Sequence, residues 1–211
     1  MIAKAIANKE ATALPQSPYE SLLDILRPVN AFEPVSPYAS ILKTLAAKPK
    51  IFVSYHHDGD RWYYEQFSRL FADTYDVCYD NSVNRVIDSD NADYVIRTIR
   101  EDHLTGTSCT IVLCGSQTPW RKFVDWEIKA TLDKEHGLIG VNLPTSLRDQ
   151  QGRVYKPDRL QDNIDSRYAI WVEWSDIATG GSSVLKAYMH LARLSPIDRI
   201  RNSQTLRQRN G

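Results

Sequence analysis

The feature that most constrains this chain is an alternation, from Lys50 onward, of short apolar runs with longer amphipathic stretches. The apolar runs have the length and composition of β-strands, and the stretches between them have the apolar spacing of α-helices. Such an alternation is typical of a parallel β-sheet with helices on both faces. The predicted strands are residues 51–55, 76–79, 109–114, 138–143 and 168–172, and the predicted helices are residues 60–74, 91–103, 122–134 and 183–194. We therefore expect an α/β fold with a five-stranded parallel sheet.

The remaining segments lack this alternation. Residues 80–90 form a long polar loop, and residues 144–167 are polar and turn-rich, so no strand or helix is predicted in either. Residues 196–211 carry four arginines against one aspartate, and we expect this tail to be loose. The predicted organisation is an N-terminal extension over residues 1–48, one α/β domain over 49–195 and a basic tail over 196–211.

The N-terminal extension contains an internal repeat. The sequence PQSPYESLL at residues 15–23 recurs nineteen residues later as PVSPYASIL at 34–42. Serine followed by proline suits an N-cap with proline at the first helical position, so each copy predicts a short helix, over 18–26 and 37–45. Their apolar faces consist of Tyr19, Leu22, Leu23 and Leu26, and of Tyr38, Ile41, Leu42 and Leu45. Such short helices are marginal alone in water, so these faces must dock on the α/β domain or on another chain. Because one domain surface rarely offers the same site twice, the repetition favours a homo-oligomer.

The composition excludes several classes of function. Lysine plus arginine equals aspartate plus glutamate at 26 each, so no overall charge attracts nucleic acid or an anionic membrane. No stretch approaches the roughly 18 apolar residues of a membrane span, and the N-terminus lacks the apolar run of a signal peptide. Cys78, Cys109 and Cys114 lack the close paired spacing of a zinc site, which favours reduced thiols. We expect a cytoplasmic protein without a metal.

A candidate site is predicted at the carboxyl ends of the strands, where open parallel sheets bind ligands. Neither a G-x-G-x-x-G motif nor a Walker A motif occurs, which disfavours a dehydrogenase or a P-loop enzyme. Tyr55 and His56 follow the first strand, Asp80 follows the second, and Trp120 follows the third. We expect Tyr55 or Trp120 to stack on a base, His56 to contact phosphate or ribose, and Asp80 to reach a hydroxyl. A packing role is the open alternative for Tyr55 and Trp120.

The segment WRKFVDWEI at residues 120–128 is the most informative in the chain. Glu127 lies near the start of a predicted helix among apolar and aromatic residues, and shares a helix face with Phe123 and Thr131. A carboxylate in such surroundings is a candidate functional group. The alternative is a solvated glutamate that interacts with the helix dipole.

At these residues the chain resembles the TIR-like proteins of bacterial Thoeris antiphage systems, the ThsB subunit, within the TIR superfamily. The matching pieces are residues 51–57, 110–118 and 120–128, which stand in family order over about residues 50–175. The resemblance implies a flavodoxin-like, three-layer form of the α/β fold. In that family the pattern Trp/Phe-Val-x-x-Glu-Ile, here residues 123–128, carries the catalytic glutamate, so the resemblance assigns that role to Glu127.

The resemblance also implies the reaction and its partners. NAD would be a substrate and no further cofactor would be needed. The enzyme would cleave the bond between nicotinamide and ribose and form an ADP-ribose product, cyclic in our expectation, that activates a separate effector protein. Activity could require a phage-derived trigger or assembly into an oligomer.

One carboxylate is chemically sufficient for this reaction. Cleavage passes through an oxocarbenium-like transition state, as in glycoside hydrolysis. In NAD the nicotinamide ring is a positively charged pyridinium, so it departs as a neutral base and no general acid has to protonate it. A single glutamate can stabilise or trap the cation. Two alternatives stay open: a non-catalytic TIR-like module that assembles through its surfaces, and a nucleoside deoxyribosyltransferase-like enzyme that acts on free nucleosides.

Overall fold

A computed structural model of the protein describes residues 48–78 and 92–211. The predicted N-terminal helices and Asp80 lie outside the described residues. The strands are β1 (Lys50–Tyr55), β2 (Asp76–Cys78), β3 (Thr107–Cys114), β4 (Gly137–Asn142) and β5 (Ile170–Glu173). The helices are α1 (His57–Phe71), α2 (Ala92–Thr98), α3 (Lys122–Asp133), α4 (Asp158–Asp165) and α5 (Trp174–Arg193). A π-helical turn, Ile99–His103, extends α2, and short 3-10 helices occur at Thr118–Trp120 and Ile197–Arg199.

The five strands form one sheet in the order β2-β1-β3-β4-β5, and every pairing is parallel. This is the strand order of a flavodoxin-like fold. The predicted five-stranded parallel sheet is therefore confirmed. Helices α1 and α5 contact each other on one side of the sheet, and α2 contacts α3 on the other.

The alternation of β1 side chains shows why this strand lies within the sheet. Ile51 and Val53 join the apolar core that also contains Phe67 and Phe71 of α1. Phe52 points to the opposite side, into a cluster with Trp126 and Ala130 of α3. Because successive strand residues face opposite sides, β1 is buried on both faces.

Helix α4 was not predicted, since residues 144–167 were interpreted as turn-rich. Its buried residues include Arg159 and Asn163 beside Leu160, so its inward face is largely polar. Apolar periodicity, on which the prediction rested, cannot detect a helix whose buried stripe is polar.

Helix α5 begins nine residues before the predicted helix 183–194. Gly181 interrupts it with φ 60° and ψ −156°, a conformation that is essentially restricted to glycine. Tertiary packing forms the first part, in which Ile177 is buried and the Trp174 ring lies 5.3 Å from that of Tyr63. Two adjacent glycines and two serines hid this part from sequence-based prediction.

The prediction of a loose C-terminal tail was wrong. Residues 196–211 pack along α3 and α4 and form many specific hydrogen bonds with them. Asn163, for example, receives a hydrogen bond from the Arg201 backbone and donates one to the Arg201 carbonyl. The buried polar side chains of α4 supply these partners, which the composition of the tail alone does not reveal.

Among residues 48–78 and 92–211, no helix combines the length and the apolar character that crossing a bilayer requires.

Candidate functional site

The carboxyl ends of β1 and β3 lie side by side, with Tyr55 in register with Leu113. The helices that follow these two strands pack on opposite faces of the sheet, α1 with α5 and α3 with α2. In folds of this strand order, ligands usually bind at this switch point, between the connection that follows β1 and the connection that follows β3. The residues after β1 and those after β3 are therefore the candidates for a site.

Glu127 is buried on the side of α3 that faces the sheet, with an exposed fraction of 5%. One turn later, Thr131 Oγ1 lies 2.8 Å from Thr110 Oγ1 of β3 and donates to the Glu127 carbonyl at 2.8 Å. This contact fixes the rotation of α3 on the sheet. Because Glu127 precedes Thr131 by one turn, it shares that face and lies nearer the carboxyl ends of the strands. The alternative of a solvated surface glutamate is wrong.

His56 caps the N-terminus of α1. Its Nδ1 accepts a hydrogen bond from the backbone N–H of Gly59 at 2.9 Å, which explains why α1 begins three residues before the predicted position. Burial lowers the pKa of His56, the Arg121 charge lowers it further, and Asp58 acts in the opposite direction. A neutral ring whose Nδ1 accepts carries its proton on Nε2. That N–H is the group with which His56 could contact a phosphate or ribose oxygen.

Tyr55 lies on the α1 side of the sheet. Its ring stacks on Tyr64 with a centroid distance of 4.6 Å and an interplanar angle of 2°, and it packs against the core cluster of Ile51 and Val53. The ring is half-buried. This placement provides the contacts that a packing role requires, and substrate stacking by Tyr55 stays a prediction.

Trp120 ends the 3-10 helix between β3 and α3 and is half-buried. Its ring centroid lies 5.7 Å from that of Tyr155, and its carbonyl accepts a hydrogen bond from the Gly211 N–H at 3.1 Å. It therefore has partners in the segment between β4 and α4 and at Gly211. The structure does not bring Trp120 into any described contact with His56 or Tyr55.

Asp60 is a candidate residue that the sequence analysis missed. Its side chain is buried in the first turn of α1, where Oδ2 accepts a hydrogen bond from Thr118 Oγ1 at 2.5 Å. Thr118 Oγ1 in turn accepts from the Gly115 N–H at 2.9 Å, so Asp60 holds the loop after β3 against the start of α1. The Oδ1 atom is buried with no hydrogen-bond partner among the described residues.

A signal for Asp60 was present in the sequence. It lies seven residues before Phe67 and eleven before Phe71, and therefore on the apolar stripe of α1. Burial raises the pKa of this carboxyl group, whereas its hydrogen bonds and the Arg121 charge oppose the increase. An acidic residue on a core-facing stripe has to be either hydrogen-bonded or functional.

The helix that carries Glu127 is anchored by a buried ion pair. Arg159 of α4 is fully buried, and its Nε donates to Asp125 Oδ1 at 2.9 Å. Its other nitrogens donate to Asn202 Oδ1 at 2.9 Å and to the Gln204 carbonyl at 3.1 Å. Asp125 Oδ2 also accepts from the Arg207 N–H at 2.9 Å. The tail and α4 thus fix the backbone two residues before Glu127.

Within residues 48–78 and 92–211, no group of three or more histidine, cysteine, aspartate or glutamate side chains could hold a metal ion.

Two comparisons with known proteins gave matches, one to a family model and one to a solved structure. The family model described as Thoeris protein ThsB, TIR-like domain, matches residues 52–148. A matching solved structure is that of the activated Roq1 resistosome directly recognising the pathogen effector XopQ, in its TIR domains. The identity is 12%, the match covers 70% of this chain and 86% of that chain, and the TM-score is 0.34. No curated protein matches the chain.

Proposed function

Because residues 52–148 belong to the family of the TIR-like domain of the Thoeris protein ThsB, we propose that this protein is an NAD-cleaving enzyme of antiphage defence. Glu127 is its catalytic residue, and NAD is its substrate and not a bound cofactor. The observation that carries the proposal is the burial of Glu127 on the sheet side of α3, one helical turn nearer the carboxyl ends of the strands than Thr131. Burial sets this glutamate apart from a solvated helix-surface residue and supports the proposal.

The chemistry follows from the charge of the substrate. The bond between C1′ of ribose and N1 of nicotinamide breaks, and its electron pair stays on N1, so neutral nicotinamide leaves. C1′ becomes an oxocarbenium-like cation, which the Glu127 carboxylate stabilises. Electrostatic stabilisation is stronger in a site that excludes water, and a carboxylate held in place needs no reorganisation during the reaction.

The cation is then captured by a nucleophile. Attack by water and loss of a proton gives ADP-ribose, and attack by another atom of the same ADP-ribose with loss of a proton gives a cyclic isomer. We propose the cyclic product, as the signal for a separate effector protein. The three cysteines are free thiols, two of them fully buried, which supports action in the reducing cytoplasm. A homo-oligomer and a phage-derived trigger belong to the same proposal.

The proposal is tested by mass spectrometry of nucleotides in phage-challenged cells that express the wild type or Glu127→Gln. The variant keeps the shape of the side chain and removes its charge, so we expect turnover to fall by at least a hundredfold, about 3 kcal/mol of transition-state stabilisation. Glu135→Gln is the matched control, because Glu135 is exposed just beyond the other end of α3. It should behave as the wild type.

Each outcome has a distinct meaning. Nicotinamide with a cyclic ADP-ribose isomer supports the full proposal, and nicotinamide with linear ADP-ribose alone refutes the cyclic product. Turnover of NAD by Glu127→Gln at the wild-type rate refutes the catalytic assignment. If challenged cells protected by the wild type retain their NAD and form no new nucleotide, the protein is a non-catalytic assembly module.

A further inference from the structure

Ser54 is a buried hydroxyl residue for which the fold supplies no partner. Its exposed fraction is 1%, and Oγ has no hydrogen-bond partner within the described part of the chain. Buried hydroxyl groups are normally hydrogen-bonded, because an unsatisfied one loses its bonds to water without replacement. Thr110, a buried hydroxyl residue on neighbouring β3, is paired with Thr131 at 2.8 Å. The position of Ser54 near the end of β1 therefore requires another explanation.

The register of the sheet places Ser54 beneath α3. Phe52, two residues earlier, clusters with Trp126 and Ala130 of α3, so Ser54 faces the same helix because strand side chains alternate. Phe52 pairs with Thr110 and Ser54 pairs with Val112, one step closer to the carboxyl edge.

Glu127 lies at the corresponding height on α3, measured towards the carboxyl edge of the sheet. Thr131 lies over Thr110, and Glu127 is one helical turn nearer the carboxyl edge, about 5.4 Å along α3. Two strand residues advance by about 6.6 Å. Glu127 and Ser54 consequently lie in one layer between α3 and the sheet, near the switch point between β1 and β3.

We propose that Ser54 is a second substrate-contacting residue, whose hydroxyl hydrogen-bonds a hydroxyl group of the nicotinamide ribose while Glu127 stabilises C1′. This inference rests on the proposed NAD cleavage. A serine hydroxyl can both donate and accept, as can a ribose hydroxyl, so the two groups satisfy each other. The serine hydroxyl is also uncharged, which suits a site where positive charge develops on the sugar. Hydrogen bonds to the hydroxyl beside the reacting carbon strengthen in such transition states.

The test compares Ser54→Ala with Ser68→Ala. Ser68 also has a buried Oγ without a partner in the described residues, but it lies on α1, which packs on the other face of the sheet. In lysates of phage-challenged cells we expect Ser54→Ala to lower kcat for NAD about tenfold or more, which corresponds to ~1.4 kcal/mol. Its melting temperature should be unchanged or higher, because an unsatisfied buried hydroxyl is removed. Ser68→Ala should keep the wild-type kcat.

A substrate with the hydroxyl removed identifies the contact. NAD that carries 2′-deoxy or 3′-deoxy nicotinamide ribose is supplied to the wild type and to Ser54→Ala. For one of the two analogues, the loss caused by the analogue and the loss caused by the variant should not add, since both remove the same hydrogen bond. Ser54→Cys, which keeps a similar size and a weak donor, should have an intermediate kcat.

The outcomes separate this inference from the function on which it rests. If the wild type consumes NAD and Ser54→Ala does so at the same rate, Ser54 has no substrate contact, while the role of Glu127 stands. Full additivity with both analogues also overturns the inference, as does a lower melting temperature that accounts for the entire loss of activity. If the wild type and Glu127→Gln are equally inactive towards NAD, the proposed function fails and Ser54 loses this role with it.

Discussion

Breaking the buried ion pair between Asp125 and Arg159 should destabilise the domain more than any surface substitution. The Arg159 side chain is 0% exposed and the Asp125 side chain 10% exposed. In Asp125→Ala the guanidinium keeps its bonds to Asn202 and Gln204 but loses its counter-charge, and the Arg207 N–H loses its acceptor. An uncompensated buried charge of this kind costs about 3–5 kcal/mol.

This cost predicts a large shift in melting temperature. For a domain of this size, 1 kcal/mol corresponds to roughly 2–4 °C, so Asp125→Ala should melt roughly 6–20 °C below the wild type. The double variant Asp125→Leu with Arg159→Met replaces both charges by apolar groups and should recover much of this loss. Arg61→Ala is the control, because it breaks the exposed pair with Glu65 and should cost about 0.5 kcal/mol or less.

The measurements are urea denaturation, compared between variants with the same m-value, and hydrogen exchange of residues 196–211. Asp125→Ala should increase exchange throughout the tail, because the anchor between the tail and α3 is removed. A stability loss no greater than that of Arg61→Ala would refute the reasoning, and would show that water compensates the Arg159 charge. A double variant that is less stable than Asp125→Ala would show instead that the tail requires the charges themselves.

Three further predictions concern the residues after β1 and β3. Burial raises the pKa of Asp60, so the free-energy cost of ionising it is absent below about pH 4 and grows as pH rises from there to the folded-state pKa. Asp60→Asn should therefore raise the melting temperature at pH 7 but not at pH 3. Calorimetry at both pH values checks this. Gly115→Ala would place a carbon 1.8 Å from Asp60 Oδ1 and should cost about 1–3 kcal/mol in urea unfolding, whereas in Gly59→Ala the nearest atom is 3.4 Å away and stability should not fall. Trp120→Ala should lower the melting temperature through lost contact with Tyr155; an unchanged melting temperature with weaker NAD use would indicate substrate stacking instead.

The sheet was predictable from sequence because its strands carry their signal locally. Residues 109–114 are an uninterrupted apolar run, and β3 is buried on both faces. The helix of Glu127 was predicted within one residue at its C-terminus, since its apolar residues recur at helical spacing. The catalytic assignment of Glu127 came from family resemblance, because its sequence surroundings alone left a solvated helix-surface glutamate as the alternative.

The parts that escaped prediction depend on pairs of polar residues distant in sequence. Arg159 and Asp125 are 34 residues apart, and the Arg207 N–H reaches Asp125 across 82 residues. Neither member of such a pair carries a local sign of its partner, so α4 was interpreted as loop and the tail as loose. Ser54 could not be identified for a related reason, because unsatisfied burial is a property of the packed structure, whereas the place of Asp60 on the apolar stripe of α1 was visible in the sequence.

The contacts around α3 separate the positioning of Glu127 from its chemistry. Three hydrogen bonds with the tail hold the first turns of the helix. Asn210 Oδ1 accepts from the Lys122 N–H, and the Arg207 carbonyl accepts from Trp126 Nε1. The Arg207 N–H donates to Asp125 Oδ2. Substitutions in this group act on the stability of the fold, and on activity only through the position of the helix. Ser54 makes no such contribution, since its hydroxyl has no partner in the described structure to lose. The two groups of variants should therefore differ in kind: Asp125→Ala should lose activity in proportion to the unfolded or misplaced fraction, whereas Ser54→Ala should lose it in a fully folded protein. Preorganised catalysis requires this division, because a carboxylate can stabilise a transient cation without reorganisation only if other residues bear the cost of holding it.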